Sequence, residues 1–243
     1  MQITMTLEKP MITLPINYRV LIHGMIYRAL SSDAAYSLDV HEGRLVRESR
    51  AYKGFTFSPL MGAYTMRERI ICFHRQAVLE MRCWDEKMAL LLHAYFSTVN
   101  EVALGSEKLR VTRCVLENKK IDATEASIRM ISPVVAYMTD ETRHTVFFKP
   151  DEDRFYAALL RNAERKNSLF QPEVPFDLQI RPLNSGMPRR QFSRFKSTYI
   201  NAWFGNYQLT GAPQVINLLY QAGLGAKNSE GFGLFAALPS SNF

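Results

Sequence analysis

Residues 213–238 read PQVINLLYQAGLGAKNSEGFGLFAAL, and they predict a helix, a glycine-rich loop and a strand in direct succession. The helix is predicted over Pro213–Ala222, because proline is favoured at the first helical position and Gly223 directly follows the last one. The strand is predicted over 231–238. A helix that leads into a strand is the closing half of a β-α-β-β-α-β unit.

The residues before this segment supply the other elements of that unit. Alternating and β-branched stretches predict strands over 126–137, 145–148, 176–182 and 198–204. A helix is predicted over 151–167, where Phe155, Leu159 and Ala163 repeat at helical spacing.

The first half of the chain repeats the same order. It predicts strands over 2–8, 52–60, 69–74 and 108–116, and helices over 21–30 and 85–98. We therefore predict an α+β fold of two tandem ferredoxin-like domains, with the order βαββαβ in each. The predicted domains are residues 1–118 and 124–243, joined by the short polar segment 118–124.

Composition narrows the class of protein. The chain has 243 residues, of which 47% are apolar and 22% charged, so it can bury a core and is not globally disordered. Apolar runs fall short of a membrane span, and the first ten residues do not resemble a secretory leader. The three cysteines, Cys72, Cys83 and Cys114, lack C-x-x-C spacing. We expect a cytoplasmic protein without membrane attachment, disulfide framework, metal or cofactor.

Basic residues are distributed unevenly. The chain has 30 basic and 23 acidic residues, and the stretch from 178 to 229 has no acidic residue. An unmixed basic stretch is typical of a surface that binds a polyanion, although acidic neighbours elsewhere in the fold are the alternative. Within it, residues 188–204 alternate arginines with aromatic residues that can stack on unpaired bases. The simpler interpretation, burial, is favoured for Tyr199, Trp203 and Phe204.

The segment 223–233, hereafter the glycine-rich loop, has four glycines in eleven residues. Backbone N–H groups in such a loop can hold a phosphate, and Lys227 adds a positive charge. A helix cap explains Gly223 and extends to Gly225, but it does not account for Gly231 and Gly233. We therefore expect alanine at Gly231 and Gly233 to reduce ligand binding more than stability.

Four motifs, in order, resemble the CRISPR repeat-RNA-processing endoribonucleases, the Cas6 family of the RAMP superfamily. The glycine-rich loop with its Lys227-Asn228-Ser229 is the closest match. The others are Leu14-Pro15-Ile16-Asn17-Tyr18 followed by Gly24-Met25-Ile26-Tyr27, then Val40-His41-Glu42, and Lys53-Gly54-Phe55-Thr56-Phe57-Ser58.

The resemblance implies metal-independent cleavage of RNA. The ribose 2′-oxygen attacks the adjacent phosphate, and the products carry a 2′,3′-cyclic phosphate and a 5′-hydroxyl. The implied partner is CRISPR repeat RNA, as precursor and as mature guide RNA. Further subunits of a CRISPR effector complex and a homodimer are left open by one sequence.

The resemblance also implies a catalytic set. His41 transfers a proton, as base or as acid. Tyr27 orients the 2′-hydroxyl or a phosphate oxygen, or is a core aromatic, and Lys53 stabilises the phosphorane. His23, one turn before Tyr27, is an alternative. His41 and Lys53 are twelve positions apart, wider than in the family, and the insertion carries arginines that can replace the lysine. Predicted RNA-binding residues are Arg44, Arg47, Arg50, Arg189, Arg190, Arg194, Lys196, Gly223, Gly225, Lys227, Asn228, Ser229, Gly231 and Gly233.

Two alternative functions stay open at this point. A RAMP subunit that holds guide RNA without cutting it has the same tandem fold. A metabolic enzyme that binds a nucleotide on the glycine-rich loop is the other. Loss of cutting with retained binding on replacement of His41 by alanine separates the first alternative from the endoribonuclease.

Overall fold

The computed structural model describes residues 1–31, 45–47, 50–142, 144–183, 188–195 and 198–239. The first α+β unit contains β1 (Gln2–Pro15), α1 (Arg19–Leu30), β2 (Leu45–Arg47), β3 (Arg50–Tyr52), β4 (Phe55–Phe57), β5 (Tyr64–Arg67), β6 (Ile70–Cys83), α2 (Glu86–Thr98), β7 (Glu101–Leu104) and β8 (Glu107–Glu117). Its main sheet has the order β4-β6-β1-β8-β7, and β5 pairs with the start of β6. Strands β1, β4, β6 and β8 with the two helices form the ferredoxin-like order.

Strand β1 is much longer than predicted because a bulge lets it continue. Ile3, Met5 and Leu7 point into the core, and after the bulge between Glu8 and Met11 the buried residues are Ile12 and Leu14. One extra residue on β1 therefore shifts the alternation from odd to even positions. The alternation of apolar and polar residues in the sequence is interrupted at the bulge. For this reason the sequence predicts a strand over residues 2–8 only.

The second unit contains β9 (Glu125–Met130), β10 (Tyr137–Thr139), β11 (Thr145–Phe147), α3 (Asp153–Phe170), β12 (Leu178–Pro182), β13 (Arg189–Phe195), β14 (Thr198–Phe204), β15 (Asn206–Gly211), α4 (Pro213–Ala222), a 3-10 helix (Asn228–Glu230) and β16 (Phe235–Ala237). Its main sheet has the order β12-β15-β9-β16, with antiparallel neighbours. This is the ferredoxin-like order again, so the predicted fold class is confirmed.

One strand of the second unit was predicted in the wrong role. Residues 198–204 form a separate hairpin with β13, and the third strand of the sheet is β15. The sequence TYINAWF has stronger β-propensity than NYQLTG, but propensity does not determine which strand pairs with β9. The predicted strand 126–137 also ends early, at Met130, ahead of Pro133.

The two units have separate cores and a third cluster between them. The first cluster includes buried residues from Ile3 to Leu109, and the second from Ala126 to Phe235. The third joins Val135 and Phe232 to one face of the β13–β14 hairpin. The predicted domain limits, 1–118 and 124–243, stay a prediction.

Polar contacts also join the two units. The buried Arg82 on β6 donates from Nη1 to the carbonyl oxygens of Phe235 (2.7 Å) and Tyr220 (3.3 Å). Its guanidinium lies over the Tyr220 ring, 3.7 Å from the centroid. The Thr56 hydroxyl on β4 donates to the Phe232 carbonyl at 2.9 Å. The glycine-rich loop and β16 are therefore held against the first unit by directional hydrogen bonds.

Candidate active site

A cavity of about 240 Å³ lies between the two units, and we call it the inter-unit cavity. The segment that leads into β4 forms one wall, and α3 and the glycine-rich loop form the others. The lining residues are Tyr52, Lys53, Gly54, Phe55, Tyr137, Asn162, Lys166, Phe170, Ala222, Ala226, Lys227, Asn228, Ser229 and Glu230. Three lysines therefore converge on one concave surface.

The glycine-rich loop is a tightly packed structure. The buried Asn228 side chain donates from Nδ2 to the carbonyls of Leu224 (3.2 Å) and Phe232 (3.1 Å). The backbone amide of Leu224 donates to the carbonyl of Gly233 at 2.9 Å. The loop is thereby closed on itself, and Asn228 has an internal role; its predicted role in binding RNA stays a prediction.

Packing explains why residues 231 and 233 are glycines, whereas the cap of the preceding helix does not. Gly231 has φ +88°, and a methyl group there would lie 2.5 Å from the Phe57 ring. Gly233 has φ +79°, and a methyl group there would overlap the Leu224 carbonyl oxygen. Both positions favour glycine by conformation and by space. This geometry argues against our expectation that alanine affects ligand binding more than stability.

Tyr27 and Lys53 approach the glycine-rich loop from the first unit. Tyr27 is half-buried on α1. The centroid of its ring lies 4.5 Å from that of His23 and 6.1 Å from that of Phe55, which packs edge to face with it. Burial first, and the nearby Glu230 carboxylate second, raise the pKa of Tyr27 to about 12. Burial lowers the pKa of Lys53 in the wall of the inter-unit cavity. The phenol is therefore a neutral hydroxyl near pH 7.

Several predicted residues lie outside the described part of the chain. They are His41, Arg44 and Lys196. Arg47 and Arg50 are described only as backbone, where they pair at the end of the β2–β3 hairpin. The roles of all five stay predictions.

The β13–β14 hairpin presents the basic and aromatic residues of 188–204. Arg189, Arg190 and Arg194 are exposed, and Arg190 is fixed by hydrogen bonds from Nε and Nη2 to Asn201 Oδ1 (3.0 and 2.6 Å). Phe192 and Tyr199 stack in parallel with 5.2 Å between centroids, and they are 59% and 56% exposed. Burial was the wrong interpretation for Tyr199, because its side chain faces solvent together with its cross-strand partner Arg194 and its diagonal neighbour Phe192.

One face of this hairpin packs beside the site. Phe195 is buried, and its ring meets His23 edge to face at 5.3 Å. His23 in turn contacts Tyr27. The exposed aromatic pair thus lies on the face of the hairpin opposite to the one that packs against α1.

A family model for "CRISPR associated protein Cas6, C-terminal" matches residues 116–237, just over half of the chain. The chain belongs to the Cas6 family. This confirms the resemblance drawn from the four motifs. A search of curated proteins gives no match.

Solved structures share the Cas6 fold along the whole chain. One described as "CRISPR associated protein Cas6" is 22% identical, with a TM-score of 0.77 over 98% of this chain and 99% of the other. A Cas6-related protein from Pyrococcus furiosus is 16% identical, with a TM-score of 0.84 over 99% of each chain. A RAMP protein "binding different RNA substrates" is 18% identical, with a TM-score of 0.82 over 98% and 99%.

Sequence reasoning missed Lys166, which lies at the floor of the inter-unit cavity and is fully buried. A signal for it was present, because Lys166 continues the apolar stripe of Phe155, Leu159 and Ala163. It also missed a second cavity of about 390 Å³ between β10 and α3, where Arg154, Arg161 and Arg165 line one side.

Two negative findings apply to the described ranges only. No three histidine, cysteine or acidic side chains among them are grouped to hold a metal ion. No helix among them is long and apolar enough to cross a membrane.

Proposed function

We propose that this Cas6 protein is an endoribonuclease that cuts precursor CRISPR RNA within its repeat and binds the mature guide RNA. The observation that carries the proposal is that candidate residues of the first unit and of the glycine-rich loop lie close together at the inter-unit cavity. Lys53 of the first unit and Lys227 of the glycine-rich loop line the same cavity, and Glu230 of that loop is near enough to Tyr27 to contribute, after burial, to the raised pKa of its phenol.

We propose cleavage without a metal ion. The ribose 2′-oxygen forms a bond to phosphorus, and the bond from phosphorus to the 5′-oxygen of the next nucleotide breaks. The proton leaves the 2′-hydroxyl for a base, and a proton reaches the leaving 5′-oxygen. The products carry a 2′,3′-cyclic phosphate and a 5′-hydroxyl, and His41 is the proposed proton-transfer residue because imidazole titrates near neutrality.

Tyr27 and Lys53 have distinct proposed roles. The neutral Tyr27 hydroxyl donates a hydrogen bond to the reacting ribose or phosphate oxygens. The Lys53 ammonium stabilises the charge that develops on the phosphorane, and partial burial strengthens that interaction because less water screens it. Arg44, Arg47 and Arg50 are proposed to assist by contacting flanking phosphates.

The proposed RNA-binding surface continues onto the β13–β14 hairpin. Its exposed arginines contact phosphates, and the Phe192–Tyr199 pair offers a stacking surface for an unpaired base. Replacing Arg194 with alanine is expected to reduce the slope of log affinity against log salt by about 0.7, the value for one phosphate of a single strand. An unchanged slope would remove Arg194 from the RNA surface.

The activity is tested with end-labelled repeat RNA from the protein's own locus, incubated in EDTA, followed by mapping of the fragment ends. One cut that leaves a cyclic phosphate and a 5′-hydroxyl supports the proposal. A strict requirement for added magnesium contradicts the metal-independent step.

A His41→Ala variant separates cleavage from binding. Loss of cutting with retained affinity is expected if His41 transfers the proton. Tight binding without cutting by the unaltered protein would favour the guide-RNA-binding subunit instead. A cytoplasmic location, association with other CRISPR effector subunits and a homodimer are further proposals, which fractionation and sizing of the native complex test.

A further inference from the structure

Lys166 makes contacts that suit only one of its protonation states. Its Nζ lies 2.5 Å from the Gly223 carbonyl oxygen, 2.8 Å from that of Gly225 and 2.7 Å from Asn228 Oδ1. A lysine ammonium has three N–H donors and no acceptor, so three oxygen atoms satisfy it completely. A neutral amine has two N–H donors and a lone pair, which would face the third oxygen.

The three acceptors belong to the first part of the glycine-rich loop and to the side chain that closes it. Asn228 binds Lys166 through Oδ1 and donates from Nδ2 to Leu224 and Phe232. Lys166 itself is on α3, outside the loop. The lysine therefore ties both halves of the loop to a helix, and it has no donor left for a ligand.

We propose that Lys166 is a positioning residue that fixes the glycine-rich loop for RNA while it is an ammonium ion and loosens it when it loses its proton. The link to RNA rests on the function proposed above, whereas the effect on the loop does not.

The protonation of Lys166 changes in an accessible pH range. Burial lowers the pKa of its ammonium to about 7, and none of its three acceptors is a carboxylate. The loop is thus expected to be anchored below neutral pH and to lose one hydrogen bond above it. The free energy of unfolding of the whole protein changes with pH in the opposite direction. The folded state releases this proton earlier than the unfolded state, so the contribution of Lys166 to stability rises with pH above about 7.

Other charged groups share this environment and have to be separated from Lys166. The inter-unit cavity is also lined by Tyr52, Lys53, Tyr137, Lys227 and Glu230. Of the elements packed on α3, β2 carries Arg47 and β10 carries Tyr137. In addition, β12 carries the exposed Arg181, and α4 carries Tyr220, whose hydroxyl donates to Gln2. A variant at Lys166 is therefore needed to attribute a pH effect to it.

The experiment is hydrogen–deuterium exchange of the full chain, read on the loop amides between pH 6 and 9 after correction for intrinsic exchange. The protected amides include those of Leu224, Ala226 and Gly233. In the unaltered protein we expect exchange to rise about fivefold across neutral pH, the factor that corresponds to one net hydrogen bond. Corrected exchange that stays constant from pH 6 to 9 would overturn the proposal without any variant.

Lys166→Met keeps the apolar stem and removes the ammonium. We expect fast loop exchange at every pH in this variant, and weaker binding of a repeat RNA whose 2′-hydroxyl at the cut is replaced by hydrogen. Arg161→Met, which removes an exposed charge from the same helix, is the control for loop exchange and should retain the pH dependence of the unaltered protein.

The outcomes distinguish this proposal from the function. Loop protection in Lys166→Met equal to that of the unaltered protein overturns the positioning role. A loosened loop with unchanged RNA affinity overturns its link to RNA. If the unaltered protein binds no repeat RNA, the proposed function fails, and the exchange measurement still decides whether Lys166 anchors the loop.

Discussion

At the scale of single residues, Tyr27 is held in one protonation state. Its phenol is half-buried between His23 and Phe55, with a carboxylate nearby, so its pKa of about 12 keeps it neutral throughout the ordinary range. A residue in this state donates a hydrogen bond but does not act as a base.

For Tyr27→Phe we expect cleavage to slow on the order of 100-fold, as when one donor to a developing charge is removed. The pH-rate profile between pH 6 and 9 should keep its shape, since Tyr27 does not titrate there. Single-turnover rates over that range measure both effects. A changed profile with an unchanged maximum would argue against the assigned role.

Two glycines provide a matched pair for stability. Gly233→Ala should lower the free energy of unfolding by roughly 2–4 kcal/mol, because it combines a left-handed backbone with overlap at the Leu224 carbonyl. Gly24 on α1 has nothing within 4 Å of an added methyl group. Gly24→Ala should therefore raise stability by roughly 0.5–1 kcal/mol. Chemical denaturation measures both, and equal values would contradict the strain argument.

At the scale of elements, the β13–β14 hairpin displays its aromatic pair on one face while its other face is buried. Phe192 is exposed on one strand, and Phe195 on the same strand is buried against His23. The hairpin can therefore contact a ligand without giving up its own packing.

We expect Phe192→Ser to weaken RNA binding roughly 5- to 150-fold, the usual range for one base–aromatic stack, with little change in melting temperature. Phe195→Ser, the control, should lower the melting temperature because it removes a buried ring. Anisotropy titrations and thermal melts compare the two variants. Unchanged affinity in Phe192→Ser would mean that the pair does not stack on bases.

The helices were predictable from local residues. Proline at the start and Gly223 after the end fixed α4, and Asp85, whose side chain accepts from the Lys87 amide, fixed the start of α2. Strand roles depend on distant partners, so the hairpin was mistaken for part of the sheet. At the site, the sequence motifs were enough to select Tyr27, Lys53 and the glycine-rich loop as candidates. The contacts of Lys166 are seen only in the folded structure.

At the scale of the whole molecule, Arg82 joins the two units. Besides the two carbonyls of the second unit, it binds the Glu80 carboxylate from Nε at 2.6 Å. Removing the guanidinium leaves buried acceptors without a donor, which is strongly destabilising.

Arg82→Met is expected to lower the free energy of unfolding by about 3 kcal/mol and to separate one thermal transition into two. Calorimetry tests this. The control is Arg110→Met, which breaks an exposed ion pair with Glu8 and should change stability little. A single transition at an unchanged temperature in Arg82→Met would show that the units are held together by other contacts.

The contact between Gly231 and Phe57 has a consequence for how these proteins diverge. The loop of one unit fits against a ring of the other with no space for a methyl group. A side chain at position 231 therefore requires a smaller residue at position 57, and a ring larger than that of Phe57 cannot be compensated at Gly231. Chimeras that combine halves from different relatives should lose stability when they join a larger residue at position 231 to phenylalanine at position 57.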